Sequence, residues 1–255
     1  GGLRARRGRT AAAAVMARLA APQGRRRDDV AVALLLALLA FVLAAGGWLW
    51  RADRLVYDAG LSLWTRPPPD EVLIIAIDDA SIEAIGRWPW RRSVHATLLE
   101  RLAQAGPHAV VLDLLLSEPD PDPRQDALLA AALRRAAPVV MPVTWLAVPG
   151  EPLRVLEPVA PLREAVRLGA AEAVVDSDGV LRHAFVEAGP PERPYPHLAV
   201  AALQAGREAV HPATALERAG EDAASPGWGR EGRFLIRYGG APGHVRRVSY
   251  VDVLR

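Results

Sequence analysis

Residues 30–50 read VAVALLLALLAFVLAAGGWLW, twenty-one consecutive positions without a charge. No other feature limits the chain so strongly, because a run of this length divides a protein between two compartments. At 1.5 Å per residue it matches a hydrocarbon core of about 30 Å. Its leucines each favour insertion by roughly 0.5 kcal/mol. The run predicts a transmembrane helix over 30–50 in preference to a buried soluble helix. Arg4, Arg6, Arg7, Arg9, Arg18, Arg25, Arg26 and Arg27 precede it, opposed only by Asp28 and Asp29. The positive-inside tendency places residues 1–29 in the cytoplasm and exports 51–255. Ala44-Ala45-Gly46 offers a small-residue cleavage site, but the apolar run exceeds that of a signal peptide, so an uncleaved anchor is favoured. Trp48 and Trp50 suit the outer interface.

The formal charge of +2 conceals an asymmetry: residues 1–29 carry +6, leaving −4 for the other 226. The exported part has no evident basic patch, which argues against nucleic acid as a partner. Every basic residue is arginine, a compositional bias without functional content. Cysteine is absent, which excludes thiol chemistry and cysteine metal sites. About 200 exported residues build a core without disulfides.

Residues 51–66 continue as a juxtamembrane helix with Leu55, Ala59 and Leu63 in register, ended by Pro67-Pro68-Pro69. Val72–Asp78 and His108–Leu116 read as strands buried on both faces, the habit of parallel sheets. A helical turn at Ser81–Ile85 and an amphipathic helix over Arg91–Ala105 lie between them, the latter stopped by Gly106-Pro107. A helix over Gln125–Ala136 and a strand over Pro138–Val143 complete a β-α-β-α-β order, hence an α/β domain with a mainly parallel sheet. A short helix follows within Pro158–Leu168. Asp176-Ser177-Asp178-Gly179 is a tight turn between Ala173–Val175 and Val180–Val186, predicting an inserted β-hairpin. A helix over His197–Ala205, a loose region over 211–231 and strands at Phe234–Tyr238 and Arg246–Tyr250 finish the chain.

Asp78, Asp79 and Asp113 end the first two strands, where open α/β sheets bind ligands. Carboxylates there hold a cation or act as acid and base. Asp79 and Ser81 equally suit helix caps, and Asp113 suits loop fixing, and these structural roles are favoured. Trp88-Pro89-Trp90-Arg91-Arg92 is a stiff apolar knuckle running into a helix. It serves as a plug for the core or as a ligand contact through Trp88 and Arg91. Arginines in a first turn oppose the helix dipole and ask for an acidic partner, for which Asp113 is the candidate. The segment from Asp176 lacks the EF-hand spacing. His95, His108, His183 and His197 have no metal spacing, and no triad, Walker or dinucleotide motif is present. No catalytic residue, metal or cofactor is assigned.

The run Ile74-Ile75-Ala76-Ile77-Asp78-Asp79-Ala80-Ser81, followed by Gly86-Arg87-Trp88-Pro89-Trp90-Arg91-Arg92 and His95, resembles the opening of the CHASE type 2 family of bacterial extracytoplasmic sensory domains. Val111-Leu112-Asp113-Leu114 with Glu118-Pro119, the segment from Gly169 to Arg182, Pro196-His197-Leu198-Ala199, Tyr238-Gly239-Gly240 and Val248–Leu254 match its later elements. The resemblance covers roughly 53–255. It implies an N-terminal span and an exported sensor, then further spans and a cytoplasmic output, with adenylate/guanylate cyclase as the first expectation. A diguanylate cyclase, a histidine kinase or a Ser/Thr kinase are the alternatives. It implies a membrane partner, a small-molecule or envelope signal and a homodimeric receptor, but carries over no catalytic residue. Family members continue beyond the Val248–Leu254 segment with a further buried strand, so the resemblance implies a fragment with an exposed sheet edge. A membrane-anchored periplasmic metal-dependent hydrolase using Asp78, Asp79 and Asp113, or an envelope assembly protein, are the competing classes.

Overall fold

The computed structural model describes residues 23–46, 54–60, 70–206, 228–240 and 243–255. The chain divides into two units, Gly1–Thr65 and Arg66–Arg255. In the first, helix α1 spans Gln23–Ala45. It begins within the charged leader and ends before the uncharged run does. Its part within that run, residues 30–45, is about 24 Å long at 1.5 Å per residue, against a hydrocarbon core of about 30 Å, and residues 47–50 lie outside the described residues. Among the described residues no helix is long and apolar enough to cross a membrane. The transmembrane helix expected over 30–50 is therefore corrected. The physical cause is Gly46, where the chain turns, glycine being a weak helix former. Trp48 and Trp50 lie outside the described residues. The expected juxtamembrane helix is described only at 54–60, where it is helical.

Among its described residues, the second unit holds three sheets and a set of helices in a mixed α/β arrangement. Strand β1 (Leu73–Ala76) pairs in parallel with β9 (Arg246–Ser249), Leu73 opposite Arg246 and Ala76 opposite Ser249. Strand β3 (Val139–Leu146) is flanked in parallel by β2 (Val110–Val111) and β5 (Arg167–Ala170), and its distal half pairs antiparallel with β4 (Arg154–Leu156). Strand β6 (His183–Gly189) sits between β7 (Tyr195–Pro196) and β8 (Gly229–Leu235), both antiparallel. The mainly parallel sheet expected from the strand composition is thus replaced by a mixture of parallel and antiparallel pairs in separate sheets.

Several expected elements shift for identifiable reasons. Strand β1 is not buried on both faces: Leu73 and Ile74 are 47% and 44% exposed. It pairs with β9, and its first two residues are left without an element packed over them among the described residues. The second expected strand shrinks to Val110–Val111, because after Leu112 bonds Val140 O the chain leaves the ladder into the loop 112–122. The turn at 176–179 forms, with Gly179 N–H on Asp176 O at 2.8 Å and Asp176 N–H on Val180 O at 2.9 Å. Beyond it the hairpin is short. A lone bridge joins Val174 to His183, and β6 turns to β7 and β8 instead. Arg182, 3% exposed, reaches Asp176 and Asp178 at 2.9 Å each and holds the turn closed. Part of the region expected to be loose, 229–231, belongs to β8; its first stretch, 211–227, lies outside the described residues.

The helices follow the sequence closely. Helix α2 (Asp79–Ile85) and helix α3 (Arg92–Ala105) follow β1, and Gly106 in the left-handed region (φ 63°) ends α3, a conformation that costs glycine nothing. Helix α4 (Pro123–Arg135) carries Asp122 as its cap and proline at its first position. The short helix α5 (Ala160–Arg163) precedes β5. Helix α6 (Leu198–Gly206) lies so close on β5 that a Cβ at Gly169 would stand 2.7 Å from the Leu198 backbone. The last element is α7 (Tyr250–Leu254). Leu99, Leu129, Met141 and Leu162, without exposed surface, form the principal core under α3, α4 and β3. Each such burial contributes roughly 1.5–3 kcal/mol. A second cluster centres on Tyr195 and Trp228, and a third on Trp90, Leu98 and Tyr250.

Candidate functional site

The loop that leaves α2 carries Trp88, Pro89 and Trp90 toward the start of α3, and the Trp88–Pro89 peptide is cis. Opposite lies the loop 114–122, and between the two is a cleft of about 830 Å³. Trp88 keeps 36% of its surface exposed at the rim, whereas Trp90 is buried at 7%. The knuckle is therefore both things that its residue types allow. Trp90 closes the core and donates its indole N–H to Gly86 O at 2.7 Å, while Trp88 faces the cleft.

The two arginines divide in the same way. Arg91, the N-cap residue of α3, makes no side-chain cap and stays exposed in the cleft wall. Arg92 is built in: its Nε donates to Asp126 Oδ1 at 3.0 Å and its terminal nitrogen to Glu118 O at 2.8 Å. The acidic partner expected of these arginines is thus Asp126, 5% exposed, and not Asp113, which is exposed. The second carboxylate oxygen of Asp126 accepts Asp120 N–H at 2.9 Å, and Gln125 Oε1 accepts Ser93 N–H at 3.0 Å. One buried carboxylate therefore fixes both walls of the cleft. The signal for it lay in Asp122-Pro123, a cap and first helical position that put Asp126 in the first turn of α4, where the dipole favours a carboxylate.

Asp78, Asp79 and Asp113 do not line this cleft. Asp78 is the cap of α2, in place of the expected Asp79 and Ser81. Its Oδ1 accepts Ser81 N–H at 3.0 Å, Ser81 Oγ–H at 2.6 Å and Ser249 Oγ–H at 2.8 Å. These hydrogen bonds, Ser81 side chain first and then Ser249, hold its carboxyl below the usual aspartate value. Ser81 Oγ in turn accepts Val251 N–H at 3.1 Å. The group ties the end of β1 to β9 and α7. Asp79 sits in the first turn of α2. Among the described residues no group of three His, Asp or Glu side chains stands together as metal ligands, so the three aspartates proposed for a hydrolase are not assembled into one centre.

Two buried polar joints escaped the sequence. His95, 1% exposed, shares a 2.8 Å hydrogen bond between its Nδ1 and the Tyr250 hydroxyl. Burial, with a lesser push from the Arg92 charge, lowers its pKa to about 4. Burial likewise raises Tyr250 above its ordinary value. Glu172 follows β5 and accepts the Trp145 indole N–H at 3.3 Å and the Arg230 guanidinium. Burial raises its pKa, but Arg230 and the indoles outweigh that and leave it below the usual glutamate value. Arg230 also stacks over Phe185, 5.4 Å from the ring centre. Neither joint follows from local spacing, since the partners are 155 and 58 residues apart.

The cleft, bordered by the exposed indole of Trp88 and the exposed guanidinium of Arg91, lies on a mixed α/β domain. The model of the CHASE2 domain matches residues 32–255, and the chain belongs to that family. CHASE2 domains are extracytoplasmic sensory domains and are not catalytic. Neither a curated protein nor a solved structure matches the chain.

Proposed function

We propose that this chain is the signal-receiving region of a bacterial membrane receptor, and that the cleft between residues 88–92 and 114–122 is where the signal is received. The observation that supports it is the pair Trp88 and Arg91, both exposed at the mouth of an 830 Å³ cleft whose walls are fixed by Asp126. The signal is a small molecule or an envelope component. The family resemblance supports a homodimeric full-length receptor with an adenylate/guanylate cyclase as output, ahead of a diguanylate cyclase, a histidine kinase or a Ser/Thr kinase. In the full-length receptor, Trp88→Ala and Arg91→Ala should each raise the half-maximal signal concentration at least tenfold, equivalent to about 1.4 kcal/mol. Dose–response curves of output against signal check this. Curves that superimpose on the native one count against the cleft.

The membrane partner has separate support. Most large apolar side chains described in α1, among them Leu34 and Phe41 at 66% and 69%, are more than half exposed, next to an arginine-rich leader. Exposed apolar surface beside basic residues binds anionic bilayers. In flotation with phosphatidylglycerol-containing vesicles, the chain should rise with the lipid, and Leu35→Asp with Leu38→Asp should leave it at the bottom. Flotation unaffected by that pair would exclude α1 as the contact.

A further inference from the structure

We infer that α7 is the element ordered by occupancy of the cleft, and that the contact from Trp88 through His95 to Tyr250 carries the restraint. This rests on the reading of the cleft given above. Trp88 lies edge-on to His95 with ring centres 5.8 Å apart and to Trp90 at 5.3 Å. Trp90 meets Tyr250 at 4.9 Å, and His95 holds the Tyr250 hydroxyl at 2.8 Å. One contiguous group of rings thus reaches from the rim of the cleft to the first residue of α7. Its first member is the most exposed: Trp88 is 36% exposed, while Trp90, which also borders the cleft, His95 and Tyr250 are 7%, 1% and 2% exposed.

Helix α7 is suited to respond. It has five residues, and its cap residue Ser249 makes no side-chain cap, its hydroxyl going to Asp78 instead. A helix this short has no stability of its own. Its placement depends on packing and on tethers from other elements, namely Tyr250 Oη to His95 and Val251 N–H to Ser81 Oγ at 3.1 Å. Trp88 has one side against His95 and Trp90 and the other open. A ligand packed on the open side removes that ring's freedom. The restraint passes to His95 and Tyr250, and α7 becomes more ordered, a coupling through rigidity that needs no change of shape.

The chain contains no cysteine, so a single engineered thiol allows the cleft to be filled without knowing the natural ligand. In Leu115→Cys, on the cleft wall, the thiol is alkylated with N-phenylmaleimide and amide hydrogen exchange is followed by mass spectrometry. Exchange over 250–254 should slow at least about threefold on alkylation, with α6 unchanged. In the same protein carrying Tyr250→Phe, which keeps the ring and removes the hydroxyl, the slowing should disappear. His95→Phe removes the same hydrogen bond from the other side and should behave alike if Tyr250→Phe fails to fold. Unchanged or faster exchange over 250–254, or slowing that survives loss of the hydrogen bond, overturns the inference. Because the adduct replaces the natural ligand, this result is independent of the dose–response test of the cleft.

Discussion

Acidification from pH 7 to pH 4 should cost the 66–255 unit about 3 kcal/mol through His95 alone. Its imidazole has an ordinary pKa of 6.5 when the chain is unfolded and about 4 in the fold. The unfolded state therefore takes up the proton first. The stabilisation is complete above pH 6.5, and it is lost progressively as the pH falls from 6.5 toward 4. A gap of this size corresponds to about 3 kcal/mol at about 1.4 kcal/mol per unit. The cause is burial among Trp88, Trp90 and Tyr250, reinforced by Arg92 one turn earlier on α3. Asp78, Glu157 and Glu172, whose folded values are depressed below ordinary values of 3.8–4.5, lose their contribution at lower pH. Denaturant midpoints measured at pH 7, 5.5 and 4 check the prediction. His95→Gln, which does not titrate, should start less stable and show a much flatter decline over that interval. Parallel declines in the two proteins would remove His95 as the cause.

Glu172→Ala should destabilise the same unit by about 3–5 kcal/mol, the range for breaking one side of a buried ion pair. The side chains of Glu172 and Arg230 are 10% and 15% exposed, so the guanidinium left behind has little access to water. Trp145 loses the acceptor of its indole N–H as well. The joint connects β3 and the end of β5 to β8, so its loss weakens the junction of two sheets. At about 2–4 °C per kcal/mol for a unit of this size, the midpoint falls by roughly 6–20 °C. Glu172→Leu combined with Arg230→Met should recover much of the loss, because most of the penalty is the unpaired charge. Calorimetry of the three proteins decides it. A Glu172→Ala midpoint within about 2 °C of native would show that the joint contributes little.

These two residues also show what local sequence reveals. Helices α3, α4 and α6 were legible because their apolar spacing, caps and stops lie within one segment: Leu98 and Leu102 on one stripe, Gly106 at the end, and proline or glycine between elements. Trp88 and Arg91 were legible as candidates because an aromatic knuckle and a first-turn arginine have few structural uses. Asp78 and Asp113 were legible only as residues at strand ends. That Asp78 also accepts Ser249 depends on where β9 pairs, and that Asp113 is exposed depends on where the chain leaves β2. The strands were the least legible part. Val72–Asp78 has the composition of a strand buried on both faces, yet among the described residues β1 pairs with β9 alone and keeps Leu73 and Ile74 exposed. A strand's burial is a property of its neighbours, which composition does not name.

The amino-acid sequence by itself determined the α/β class, most helix limits, the tight turn at 176–179 and the family, since each rests on residues a few positions apart or on their order along the chain. It also determined that residues 30–50 are uncharged, but not the extent of the helix there, which starts in the leader and stops at Ala45. Tertiary structure alone decided that Asp126 and not Asp113 answers Arg92, that Trp88 opens on a cleft while Trp90 closes the core, and that His95 meets Tyr250. Those outcomes require groups distant in the chain to be desolvated together. The energy of such contacts comes from burial and from low-dielectric hydrogen bonding, which exist only once the sheets and helices have been placed.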